Sequence, residues 1–124
     1  EESKIMEKEI FSYTEQIRGL IKKDTNFAII NLLNAKGKLS LTDIDTNLQK
    51  PQELGESLKS LIDFGVLSES FERKSPLEAY FELDRIGKVV LESLGINKRK
   101  SEEFVNFYKE DKNKLKEEIY KVIP

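Results

Sequence analysis

The sequence predicts a mainly α fold with a small β-hairpin, an α+β arrangement in which helices flank a compact centre. Three observations predict it. Apolar residues recur at helical spacing from residue 4 to 62 and again from 85 to 122. Between those stretches, from Val66 to Leu83, the period shortens to about two. Turn formers punctuate the changes, with Gly37, Gly65 and Gly95 each falling where a helical pattern stops. A length of 124 residues suits a single domain, read as an N-terminal flanking helix over 1–23, a core over 25–95 and a C-terminal helix over 98–124.

Each element has its own signal. From about Lys4 to Lys23, Ile5, Met6, Ile10, Tyr13, Ile17, Leu20 and Ile21 share one helical stripe, with Phe11 pointing away from it. Asp24-Thr25-Asn26 read as a break, because their side chains accept backbone N–H groups at helix starts. Phe27 to Lys36 is apolar on most of its surface, which predicts a helix at the centre of the domain. Leu39-Ser40-Leu41 alternates like a very short strand, and Thr42 is the expected cap of a two-turn helix holding Ile44 and Leu48. Lys50-Pro51 reads as the start of the next helix, whose buried face is Leu54, Leu58, Leu61 and Ile62. Val66 to Glu72 and Glu78 to Leu83 read as strands around a turn carrying Arg73 and Lys74. Asp84 is placed to cap a helix with Ile86, Val89, Val90, Leu91 and Leu94. The last helix, from about Ser101 to Val122, carries Phe104, Phe107, Tyr108, Leu115, Ile119 and Val122, interrupted at Asp111 and Lys112.

Composition excludes much chemistry. The chain has no cysteine and no histidine, so it cannot form a disulfide, a Cys/His zinc site or a histidine-dependent nucleophile pair. It has no phosphate-cradling glycine loop and no EF-hand pattern. No run of about 18 apolar residues is present. The opening Glu1-Glu2-Ser3-Lys4 has neither the basic flank nor the apolar stretch of a signal peptide, and without an initiator Met further upstream sequence is compatible with it. The expectation is a cytoplasmic protein that is not an enzyme, needs no cofactor and does not contact membranes.

Short helices followed by a two-stranded ribbon are the plan of a winged helix. The stretch 26–94 resembles the ArsR/MarR-like winged helix-turn-helix transcription regulators, including small archaeal ones. The resemblance is carried by the buried Phe27–Leu33 helix, the start Leu41-Thr42-Asp43-Ile44, and the run from Ser57-Leu58-Lys59-Ser60-Leu61-Ile62 through Asp63-Phe64-Gly65-Val66-Leu67. Asp84-Arg85-Ile86-Gly87-Lys88-Val89-Val90-Leu91 is similar to the family's "Thr-x-x-Gly-Lys-x-x-Leu" passage out of the wing, with Asp84 in the Thr place. The match covers a little over half of the chain.

The resemblance implies a regulator that binds double-stranded DNA as a homodimer, with a recognition helix in the major groove and a wing on the backbone. Candidate DNA contacts are Lys50, Gln52, Glu56, Ser57, Lys59, Ser60, Arg73 and Lys74. Gln52, Ser57 and Ser60 can both donate and accept at base edges or phosphates, and the cations release counterions from the duplex. Lys36, Lys38, Lys98, Arg99 and Lys100 are candidates to widen that footprint. Ile10, Tyr13, Ile17, Phe104, Phe107, Tyr108, Leu115 and Ile119 are the expected dimer interface, because a small domain has difficulty burying two such stripes by itself. The pattern offers no clue to an effector molecule. The outward helix face departs from the family's basic habit, carrying Glu53, Glu56 and Asp63 on a chain of net charge −2. That acidity keeps open an alternative, a winged-helix protein-interaction module that does not bind DNA.

Overall fold

The computed structural model describes residues 13–73 and 77–124. The architecture is mainly helical α+β, with a three-stranded antiparallel sheet among the helices. The described residues form α1 (13–21), α2 (Asp24–Lys36), β1 (Leu39–Ser40), α3 (Leu41–Asn47), α4 (Leu54–Asp63), β2 (Leu67–Glu72), β3 (Glu78–Leu83), α5 (Arg85–Ser93), α6 (Lys98–Glu110) and α7 (Lys112–Val122).

α2 is the centre of the molecule. Every residue from Asn26 to Leu33 is buried, which follows from a sequence apolar on most sides of the helix. It packs against α4, α6, α7 and β3. The Phe27 and Phe104 rings meet edge to face, with centroids 5.1 Å apart. Three polar side chains lie in the same α2–α6 seam. Ser101 Oγ donates to Asn31 Oδ1 at 2.7 Å, Asn34 Nδ2 donates to Ser101 Oγ at 2.9 Å, and Asn31 Nδ2 donates to the Phe27 carbonyl at 2.8 Å. Buried polar groups joined in this way fix the register of two helices that apolar packing alone would leave adjustable.

The sheet runs in the order β1-β3-β2. Leu39 pairs with Phe81 and Ser40 with Tyr80, while the hairpin register runs from Leu67 opposite Leu83 to Glu72 opposite Glu78. Ala79, Phe81 and Leu83 alternate toward the core as the period-two pattern predicts, Phe81 and Leu83 being buried and Ala79 half-buried. α1 is tied to the end of α4 by Tyr13, whose hydroxyl donates to the Phe64 carbonyl at 2.8 Å. Asn26 Nδ2 donates to the Leu20 carbonyl at 2.9 Å, joining α1 to the start of α2.

Several element boundaries differ from those the sequence predicts. α2 begins at Asp24 rather than Phe27, so the break from α1 is confined to Lys22 and Lys23. Asp24 Oδ1 accepts from its neighbour Thr25 N at 2.9 Å, inside the first turn. The cap of α3 is Ser40, which accepts from Asp43 N at 3.1 Å, and Thr42 lies within the helix. Ser40 ends the short strand and its extended backbone is the cap geometry, a coupling invisible in propensity. Pro51 does not open a helix: α4 starts at Leu54, after a turn. The last predicted helix is two, broken at Asp111, which ends α6 and caps α7 by accepting from Lys114 N at 3.1 Å. α6 also starts earlier than expected, at Lys98, because Asn97 Oδ1 accepts from Lys100 N at 2.8 Å.

Candidate functional site

α4 carries the candidate site. Leu54, Leu58 and Leu61, spaced i, i+4 and i+7, are buried, and Ile62 is packed against the same core. Gly55, Glu56, Lys59 and Asp63 are exposed on its other side, with Ser57 and Ser60 half-buried at the margins. Gln52 and Lys50 are exposed in the turn before the helix.

That turn is tight. Gln49, Lys50 and Glu53 have φ of 59°, 54° and 58°, in the left-handed region that side chains other than glycine enter at a cost of about 1–2 kcal/mol each. Backbone bonds offset part of the cost: Lys50 N donates to Asp45 O at 2.8 Å, Gln49 N to Thr46 O at 3.2 Å and Ser57 N to Glu53 O at 3.0 Å. Leu48, 2% exposed, anchors the turn to the core. The chain thus passes from α3 to α4 through strained but well-bonded backbone.

After α4 the chain turns at Gly65, φ 74°, into the hairpin. Val66 O accepts from Asp84 N at 2.9 Å, so the two ends of the hairpin are joined where α5 begins. Arg73 is exposed at the far end, and Lys74 lies outside the described residues. Phe71 and Leu77 are 58% and 66% exposed near that end. Glu72 and Glu78 stand opposite one another across the strands. Lys38 Nζ lies 4.0 Å from Glu72 Oε1 and 5.5 Å from the Tyr80 ring centroid, while Tyr80 donates to Glu78 Oε2 at 3.5 Å.

Two clefts meet beside the first turn of α4. One, about 450 Å³, is bounded by Lys22 and Lys23 from the α1–α2 turn, Gln52 and Ser57 from the α4 region, and Lys116 and Tyr120 from α7. The other, about 580 Å³, is bounded by Lys50, Gln52, Tyr108, Lys109 and Lys112. Asp24, Thr25, Gln52 and Glu53 border both. The Thr25 and Tyr108 hydroxyls are 3.1 Å apart in the wall between α2 and α6. Lys22, Lys23, Lys109, Lys112 and Lys116 are absent from the sequence-predicted site. The available signal is the i, i+4 spacing of Lys112 and Lys116, which puts those two on one side of α7, while Lys109 lies on α6 before the break at Asp111.

The expected dimer residues have a different setting. Phe104 and Leu115 are fully buried, and Ile17, Tyr108 and Ile119 nearly so, all within the core of the single chain. The α6 and α7 residues among them lie on the helices that cover α2: a helix apolar on most sides needs more neighbours than α4 and the sheet provide. Phe107 is half-buried, Tyr13 is exposed, and Ile10 lies outside the described residues. Tyr120 is 69% exposed on a cleft wall.

Among the described residues no carboxylate cluster is arranged to hold a metal ion, and no helix is long and apolar enough to cross a membrane. In comparisons with known proteins, no family model matches the chain and no curated protein is significantly similar to it.

Proposed function

We propose that the chain is a winged helix-turn-helix transcription regulator that binds double-stranded DNA. The observation that carries this reading is the amphipathic α4, reached from α3 through a tight turn and followed at once by an antiparallel hairpin. In that reading α3 and α4 are the helix-turn-helix pair, α4 lies in the major groove and the β2–β3 hairpin is the wing. Gln52, Ser57 and Ser60 reach base edges or phosphates, Glu56 accepts from cytosine N4, and Lys50, Lys59 and Arg73 meet the backbone. The role is recognition rather than catalysis.

The reading includes a homodimer presenting two α4 helices to successive half-sites. Support for the pairing surface now rests on Tyr13, Phe107 and Tyr120, since Ile17, Phe104, Tyr108, Leu115 and Ile119 belong to the chain's own core. A protein-interaction module is the second reading. Glu56 and Asp63 on the outward face of α4, together with exposed Phe71 and Leu77 near carboxylates on the hairpin, favour a basic and apolar partner surface.

Fluorescence anisotropy separates the two. A regulator binds the duplex upstream of its own gene in preference to random duplex, with affinity falling as salt rises, and loses binding on Lys59→Glu or Arg73→Glu. A folded protein that retains neither duplex even at low salt is the interaction module instead.

A further inference from the structure

The charge around the start of α4 is distributed unlike the charge on α4 itself. On the exposed face of the helix, Lys59 stands with Glu56 and Asp63. Around the two clefts at its first turn, Lys22, Lys23 and Lys116 border one and Lys50, Lys109 and Lys112 the other, against only Asp24 and Glu53 among the lining residues. These lysines come from chain segments far apart in the sequence, on a protein whose net charge is −2. Their concentration at one end of one helix is therefore a product of the fold. Lys23, Lys50, Lys112 and Lys116 are exposed, and among the described residues none of them is held in an ion pair. Lys112 Nζ rests 4.8 Å from the Tyr108 ring centroid, an arrangement that leaves its hydrogen-bond donors free for an anion.

Charge complementarity identifies the occupant. A helix in the major groove lies in a channel about 12 Å wide bordered by phosphates, with a backbone charge about every 1.7 Å along the duplex axis. An α4 whose own face carries carboxylates is repelled by those phosphates unless neighbouring cations neutralise them. We propose that Lys22, Lys23, Lys109, Lys112 and Lys116, together with Lys50, clamp the phosphodiester backbone of duplex DNA on the flanks of the α4 first turn, making the C-terminal helices part of the DNA interface. This rests on the DNA-binding reading above. Because phosphate contacts carry no base information, the clamp supplies affinity and register while α4 supplies sequence preference.

The test uses the full chain and two pairs of exchanges that remove equal charge. Lys112→Gln with Lys116→Gln takes one exposed lysine from each cleft. Arg85→Gln with Lys88→Gln takes two exposed cations from α5, outside both clefts. Glutamine has a helix propensity close to that of lysine, so both proteins should fold, and circular dichroism checks it. The expected result is that the cleft pair weakens binding roughly tenfold or more at moderate salt, equally for promoter and random duplex, and lowers the log–log salt slope by about two. The α5 pair should change little. Equal weakening by both pairs would mean that only net charge matters, and would overturn the clamp. Wild-type binding to DNA with an unaltered cleft variant would also overturn it while leaving the DNA reading intact, as would saturable binding of inorganic phosphate in the clefts with no change in DNA affinity. A folded wild type that binds no duplex removes both.

Discussion

In α5, Gly87 lies against the carbonyl oxygen of Val66, the oxygen that also accepts from Asp84 N. A Cβ at Gly87 would collide with that oxygen and crowd Leu83 Cδ2 and Val66 Cγ1. Backbone cannot retreat as a side chain can, so Gly87→Ala is expected to destabilise the protein by about 1–3 kcal/mol. Gly55 is the control. It lies within α4 and a Cβ there meets nothing within 4 Å, so Gly55→Ala should stabilise by about 0.5–1 kcal/mol through the backbone entropy of the unfolded chain. Urea midpoints of the two variants should move in opposite directions; a neutral Gly87→Ala would mean that the approach of α5 to the hairpin is loose. The glycine itself is legible in the sequence as part of Asp84-Arg85-Ile86-Gly87-Lys88, but its reason is not. What it must avoid is contributed by a residue on the far side of the hairpin.

At the level of elements, periodicity found nearly every helix and strand, and most errors lie at helix ends, where side-chain caps and positive-φ turns decide the boundary. The hairpin strands were legible because alternation and the Gly65 and Asp84 flanks agree. The start of α4 was not, because three non-glycine residues of positive φ hold a turn that propensity would assign to a helix. The C-terminal helix shows both sides. Its stripe is visibly interrupted at Asp111 and Lys112, yet only the structure shows that Asp111 leaves the helical region, with φ −151° and ψ 86°. The resulting α7 has 11 residues and carries local charge pairs. Glu118 Oε1 lies 3.4 Å from Lys114 Nζ and 3.3 Å from Lys121 Nζ. Burial alone raises the Glu118 carboxyl, but the hydrogen bonds and charges of Lys121 and Lys114 outweigh it and hold the group below its usual range. A depressed carboxylate contributes stability above its unfolded-state value and loses it as pH falls through the folded-state value. Both lysines are open to solvent, so the contribution is below about 1 kcal/mol. Glu118→Gln should accordingly lower stability slightly at pH 7, and the difference from wild type should close as pH drops below about 4. A gap that persists at low pH would assign the effect to packing rather than charge.

For the molecule as a whole, the decisive relation is between α2 and the C-terminal helices. The sequence shows that Phe27 to Leu33 is buried and that Phe104 to Ile119 carries an apolar stripe, but not that one covers the other. Both facts are equally compatible with a stripe offered to a second copy, since pattern reports which side chains avoid water and not which surface excludes it. In the fold, the Phe104 ring packs edge-on against Phe27 and neither is exposed. The contact is intramolecular, so its free energy has no concentration term. Phe104→Ala leaves a cavity at the centre of the α2–α6 seam, next to the Asn31–Ser101 hydrogen bond, and is expected to cost about 3–5 kcal/mol. The loss in melting temperature should be the same at micromolar and at hundredfold higher protein concentration, because only interactions between chains shift stability by mass action. A shift that shrinks as concentration rises would return Phe104 to an interface between copies. Such a result would also weaken the lysine clamp, which needs α6 and α7 folded against α2 within the same chain that presents α4 to the groove.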